Sequence, residues 1–198
     1  MNLAITRQSL RVSWRGAVFT GLGLALFALL FAAIYDQMQA DLSSFLDIVP
    51  TGLEAVIGDT SNATSPEGWL SIELFALFVP LGLTILGITL GAKIIGQEED
   101  SGTLELLLSR PVSRHRIVSE KALALGLTLA LTAALIWFGI ALGKILFPFD
   151  VNLLRVAEAV TSAWLLGLGF GMLTFATQAI SGRRGIAVAI GAGFLGIA

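Results

Sequence analysis

The chain has 198 residues, 56% of them hydrophobic and 13% charged, with a formal net charge of -2, whereas soluble domains carry about a quarter charged residues. A mean hydropathy of +0.87 excludes a water-soluble globule, because there is too little polar material to cover so much apolar surface. Cys is absent, which excludes disulfides, thiolate metal sites and cysteine nucleophiles.

At the start, Leu3, Leu10 and Trp14 fall on one side of a helical wheel and Arg7, Arg11 and Arg15 form an adjacent stripe. The spacing predicts an interfacial helix over 2–15, with a charged flank that only sets topology as the alternative. Ala17 to Tyr35 holds no charge and rises about 28 Å as a helix, close to the hydrocarbon thickness. Its apolar run exceeds the core of a cleavable signal peptide, so it is expected to remain as the first span.

An acidic connection follows over 36–68, with Asp36, Asp41, Asp47, Glu54, Asp59 and Glu67 and no Lys or Arg. Within it, Leu42 to Ile57 mixes apolar residues with acids and is broken at Pro50 and Gly52, a pattern for short interfacial helices. The second span is expected at about 69–95, kinked where Pro80 removes a backbone hydrogen bond. The third covers about 122–147 and the fourth about 156–180. A fifth begins over 185–198 and is too short to cross. The expected fold is therefore all-α: a polytopic integral membrane protein with an N-terminal interfacial helix, four complete transmembrane helices and a truncated fifth.

Four successive spans put ten of the twelve Lys and Arg residues on one side: Arg7, Arg11 and Arg15; Lys93, Arg110, Arg114, Arg116 and Lys121, which flank or occupy the second connection; and Arg183 and Arg184. The positive-inside rule makes that side, and the N-terminus, cytoplasmic. The acidic 36–68 connection belongs outside.

Catalytic chemistry finds little purchase. His115 stands between Arg114 and Arg116 without a second His or any Cys, so no metal site or triad is expected. A phosphate loop needs G-x-x-x-x-G-K-[ST]; the string from Gly139 to Ile145 is one residue short, lacks the hydroxyl and lies in a span. No cofactor is expected in this chain. Gly87/Gly91, Gly139/Gly143 and Gly167/Gly171 have the spacing that lets membrane helices approach closely. Glu73, Lys144, Arg155 and Glu158 map to the outer ends of spans, where anchoring or pairing near headgroups competes with a role in an exit path.

The segment Gln97 to Lys121 reads QEEDSGTLELLLSRPVSRHRIVSEK. The triple acid Glu98, Glu99 and Asp100 is expected to follow span two, with a break at Ser101-Gly102. Leu104, Leu107 and Leu108 then share a face of a two-turn amphipathic helix that Pro111 ends, and Ser113 is placed to cap the next helix. This is a compact charged elbow between two spans. Its physics alone fits either a handle for a partner or an ordinary loop.

The run E-E-x-x-G-T-L-E-x-L-L-S-x-P-V-S-R-x-x-I-V-x-x-K strongly resembles the signature of type 2 ATP-binding-cassette (ABC) exporter permeases. The resemblance is sharp over some 25 residues and loose over the whole layout. It implies a single permease domain over 1–198 and a coupling helix within 97–121 that docks on a separate cytoplasmic ABC ATPase. On that reading Glu98, Glu99, Gly102, Thr103, Leu104, Glu105, Leu108, Arg110, Pro111 and Arg114 are ATPase contacts, none of them catalytic, with ATP and Mg held by the partner. It further implies a second permease copy or homologue, a prokaryotic cell membrane and no nucleic acid. The family usually has six spans, so a chain stopping in the fifth is expected to be a fragment or to take its remaining spans from elsewhere. A membrane assembly or signalling protein driven by the same ATPase and an ion-coupled carrier are the rival functions. No visible mid-membrane charge relay favours the carrier.

Overall fold

The computed structural model describes residues 4–46, 65–100 and 113–196. In chain order these form α1 (Ala4–Leu46), α2 (Pro66–Leu70), a π-helical turn (Ser71–Phe75), α3 (Phe78–Asp100), α4 (Arg114–Leu146), α5 (Leu153–Ser181) and α6 (Arg184–Leu195). Among the described residues there is no strand. Among the described residues, four stretches are long and apolar enough to cross a membrane: Ile5–Ala40, Pro66–Ile94, His115–Leu146 and Leu153–Ser181.

The first difference from expectation is at α1. The interfacial segment, the first span and residues 36–46 of the expected outer connection form one uninterrupted helix. No proline occurs between 4 and 46, and the glycines there cost a helix only about 1 kcal/mol each. At 43 residues it is about 64 Å long, twice the hydrocarbon thickness, so it projects beyond the bilayer core. Its first turns present Thr6, Ser13 and Ala17 to the bundle and leave Trp14 exposed. The small and hydroxyl side chains, rather than the Leu10–Trp14 stripe, make the contact. The rest of the expected outer connection, 47–64, lies outside the described residues.

The second span is rearranged around Pro80 in a specific way. Proline has no N–H and its ring would strike the carbonyl four residues back, here that of Ala76. The chain meets this with the π-helical turn and a turn at Ala76 and Leu77, re-entering α-helix at Phe78. Downstream, α3 continues through Asp100. Glu98, Glu99 and Asp100 thus form its last turn instead of following it. Ser113 does cap α4, its Oγ accepting from the Arg116 N–H at 3.4 Å. Gly182 ends α5 in the left-handed region at φ 60°, a conformation that suits glycine.

Two parallel helix pairs organise the bundle. In the first, α1 lies along α4 in a steady register: Ala17 opposite Thr132, Gly21 opposite Leu135, Gly139 opposite Ala25 and Gly143 opposite Ala32. In the second, α3 lies along α5, and both glycine pairs meet. A Cβ added at Gly87 would land on the Gly167 carbonyl oxygen, and one at Gly91 on the Gly171 carbonyl oxygen. Conversely, a Cβ at Gly167 would come within 2.7 Å of the Leu83 carbonyl oxygen. Lipid tails are as apolar as the side chains, so close backbone approach of this kind, more than exclusion of water, holds membrane helices together. The pairs join through α4 against α5 and α3, while α6 packs on α5 and α3.

Parallel pairing fixes the ends. The starts of α1 and α4 and the ends of α3 and α5 share one end of the bundle, which carries Arg7, Arg11, Arg15, Lys93, Arg116, Lys121 and Arg183. Lys144 and Arg155 sit at the opposite end, close to the link between α4 and α5.

Candidate functional site

At the base of the 101–112 connection, two adjacent residues of α4 tie three helices together. Glu120 is buried. Its Oε2 accepts from the backbone N–H groups of Ile5 and Thr6 at 3.2 and 3.4 Å, its Oε1 accepts from Arg116 Nε at 2.8 Å, and its backbone carbonyl accepts from Thr6 Oγ1 at 3.2 Å. The first amides of any helix lack intrahelical acceptors. Normally the preceding residue supplies one. Here a carboxylate more than a hundred residues away does so, fastening the start of α1 to the second turn of α4.

Lys121 is buried as well, and its Nζ donates to the Ile94 carbonyl oxygen at 2.8 Å. An ammonium removed from water is costly unless it is paired and hydrogen-bonded. The strut therefore joins α3 to α4 on either side of the connection. No sequence pattern announces these partners, because both contacts depend on which helices become neighbours.

The ten residues expected to contact an ATPase divide by position. Glu98 and Glu99 lie on the last turn of α3 and Arg114 opens α4, so they flank the connection. Gly102, Thr103, Leu104, Glu105, Leu108, Arg110 and Pro111 lie outside the described residues. His115 is exposed in the first turn of α4.

The opposite end is built on aromatic rings that sequence reading passed over. Tyr35 meets Phe149 edge-on at 5.2 Å between centroids and Trp69 at 6.5 Å, Trp69 faces Phe31 at 6.0 Å, and Phe27 links Phe31 to Phe78. Tyr35 and Phe149 are buried, so the cluster binds α1, α2, α3 and the α4–α5 link into one cap. In that link Lys144 Nζ donates to Asp150 Oδ1 and to the Val151 carbonyl oxygen, both at 2.7 Å. The Asp150 side chain is 93% exposed and Val151 keeps its own bond to Lys144. Asp150→Asn is therefore expected to change unfolding free energy by less than about 0.5 kcal/mol in a denaturation titration.

Two hollows flank α5. One, about 360 Å³, is floored by Ala130, Ala133, Ala134 and Ala157 and walled by Trp137 and Trp164. Both indoles are pinned by their N–H groups, Trp137 to the Leu153 carbonyl and Trp164 to the Gly126 carbonyl. The other, about 180 Å³, lies between the π-helical turn and the start of α5 and is lined by Glu67, Ser71, Phe75 and Arg155 among others. Glu67 Oε1 is held by the Asn152 N–H at 3.0 Å.

Long apolar helices, close glycine crossings and charges gathered at the two ends define a polytopic helical membrane protein. The sequence model of the family described as ABC-2 family transporter protein matches residues 3–195. The chain belongs to that family, whose members are the membrane permease part of an ABC transporter and work with an ABC ATPase. No curated protein and no solved structure matches it.

Proposed function

We propose that this permease couples ATP hydrolysis on a separate cytoplasmic ABC ATPase to export, and that force enters through the 97–121 segment. The observation that supports this most is the double tie of Glu120 and Lys121 at the base of the connection. A displacement of the connection is delivered through α4 to the start of α1 and the end of α3, rather than absorbed in a slack loop. The two tied helices belong to different parallel pairs, so tilting α4 changes the angle between the pairs, which is what alternating access requires.

The cation-rich end is the cytoplasmic one on this reading, by the positive-inside rule. ATP and Mg reside on the ATPase, and a second permease copy or homologue completes the pathway. The resemblance of the 97–121 run to exporter permeases supports the outward direction.

Deletion of 102–109 tests the docking assignment. The expected result is a protein that still inserts into membranes, judged by carbonate-resistant membrane association, but no longer co-purifies with its ATPase. Undiminished co-purification would overturn the assignment.

A further inference from the structure

The hollow beside the π-helical turn carries opposite charges that do not meet. Glu67 and Arg155 both line it, yet among the described residues they form no ion pair within 4 Å, and the Arg155 side chain makes no hydrogen bond to any of them. A few residues away, Lys144 and Asp150 close to 2.7 Å, so acids and bases at this end do pair where geometry allows. Glu67 is instead held back by the Asn152 N–H, which engages one carboxylate oxygen and fixes the carboxylate on its wall. Ser71, the first residue of the π-helical turn, lines the same space. Single π turns within helices are frequent at functional sites. Phe75, Val156 and Ala159 supply an apolar floor.

We propose that this hollow binds a zwitterionic group of the phosphoethanolamine type, its ammonium on Glu67 and its anionic oxygens on Arg155 and Ser71. An acid and a base lining a space of 180 Å³, about six waters' share of liquid volume, match a molecule that carries both signs a few bonds apart. An anion satisfies Arg155 but meets Glu67, and a simple cation does the reverse. Arginine recognises phosphate oxygens through its planar fork, and the carboxylate accepts from a primary ammonium, which has three donors. The hollow sits at the end of the bundle, where a bilayer places its headgroups. A lipid and a free phosphoethanolamine-type solute share this chemistry.

The full chain, reconstituted in vesicles of equimolar phosphatidylethanolamine and phosphatidylglycerol and re-extracted in mild detergent, is analysed for retained lipid by native mass spectrometry. Calorimetry with soluble phosphoethanolamine runs in parallel. The wild type should enrich phosphatidylethanolamine about tenfold over phosphatidylglycerol, the size of one charge-assisted hydrogen bond. Glu67→Gln, which retains an acceptor for the Asn152 N–H, should remove that enrichment, and Arg155→Gln, which takes away the phosphate partner common to both lipids, should lower the phosphatidylethanolamine retained about tenfold. Glu158→Gln, one turn from Arg155 and outside the hollow, should do neither. Binding of the soluble zwitterion with the same variant pattern, without lipid enrichment, makes the ligand a free solute. Absence of phosphatidylethanolamine enrichment together with absence of soluble binding, or phosphatidylethanolamine retention that survives Arg155→Gln undiminished, overturns the proposal. Should Glu67→Gln fail to fold, Arg155→Gln decides alone, since it breaks no bond in the structure.

Discussion

Gly87→Leu will destabilise the protein by more than about 3 kcal/mol, read as loss of the monodisperse peak after graded heating in detergent. A Cβ at this position meets the carbonyl oxygen of Gly167, a backbone atom that cannot rotate away as a side-chain tip would. Overpacking a well-filled site costs about 1 to 3 kcal/mol when neighbours can adjust. Here α3 and α5 must separate as whole helices. Separation also undoes the contact of Gly171 with Gly87 and the approach of Gly167 to Leu83. Gly169→Leu supplies the comparison, since nothing lies within 4 Å of its Cβ position. That change removes a flexible residue from a helix and should gain up to about 1 kcal/mol. Opposite signs for two glycine-to-leucine changes in packed helices separate close approach from helix propensity. Equal effects would sink the claim that the crossing holds the α3–α5 pair.

Sequence and structure agree where the information is local or periodic. Uncharged runs of membrane length announce the spans, and Ser113 announces the start of α4, because a cap depends on neighbours three residues away. Glycine spacing marked the α3 and α5 surfaces but not that they face each other. The small residues of α1, Ala17, Gly21, Ala25 and Ala32, which pack on α4, carried the same signal in weaker form.

Local rules failed at α1. Charge and wheel geometry suggested a separate interfacial helix, but with no breaker before Leu46 the backbone had no reason to stop. At Pro80 the kink was legible while its form was not, since a π turn is only one of several ways to relieve the missing N–H. The candidate site was least legible. Nothing in the charged elbow singles out Glu120, and only the parallel packing of α1 on α4 makes it a helix cap.

Lys121 separates holding the fold together from transmitting force through it. Replacing it with methionine keeps an unbranched apolar stem while removing the ammonium that reaches Ile94. The Ile94 carbonyl lies within α3, where the helical ladder offers it another donor, so its oxygen is not stranded. The lost charge-assisted bond, about 1.5 to 3 kcal/mol, is offset by no longer burying an ammonium, and apolar replacements of buried charges are often neutral. Stability should therefore change by less than about 1 kcal/mol in thermal unfolding. Coupling should change more, because the strut that makes α3 follow α4 is gone. Single residues along a coupling route carry about 0.5 to 2 kcal/mol, a two- to thirtyfold effect. The expected result is a fall of that size in the permease-dependent part of ATP hydrolysis by the assembled transporter, with co-purification of the ATPase unchanged. A variant that unfolds identifies Lys121 as a structural anchor. One that hydrolyses ATP normally shows that force does not cross from α4 to α3 at this point.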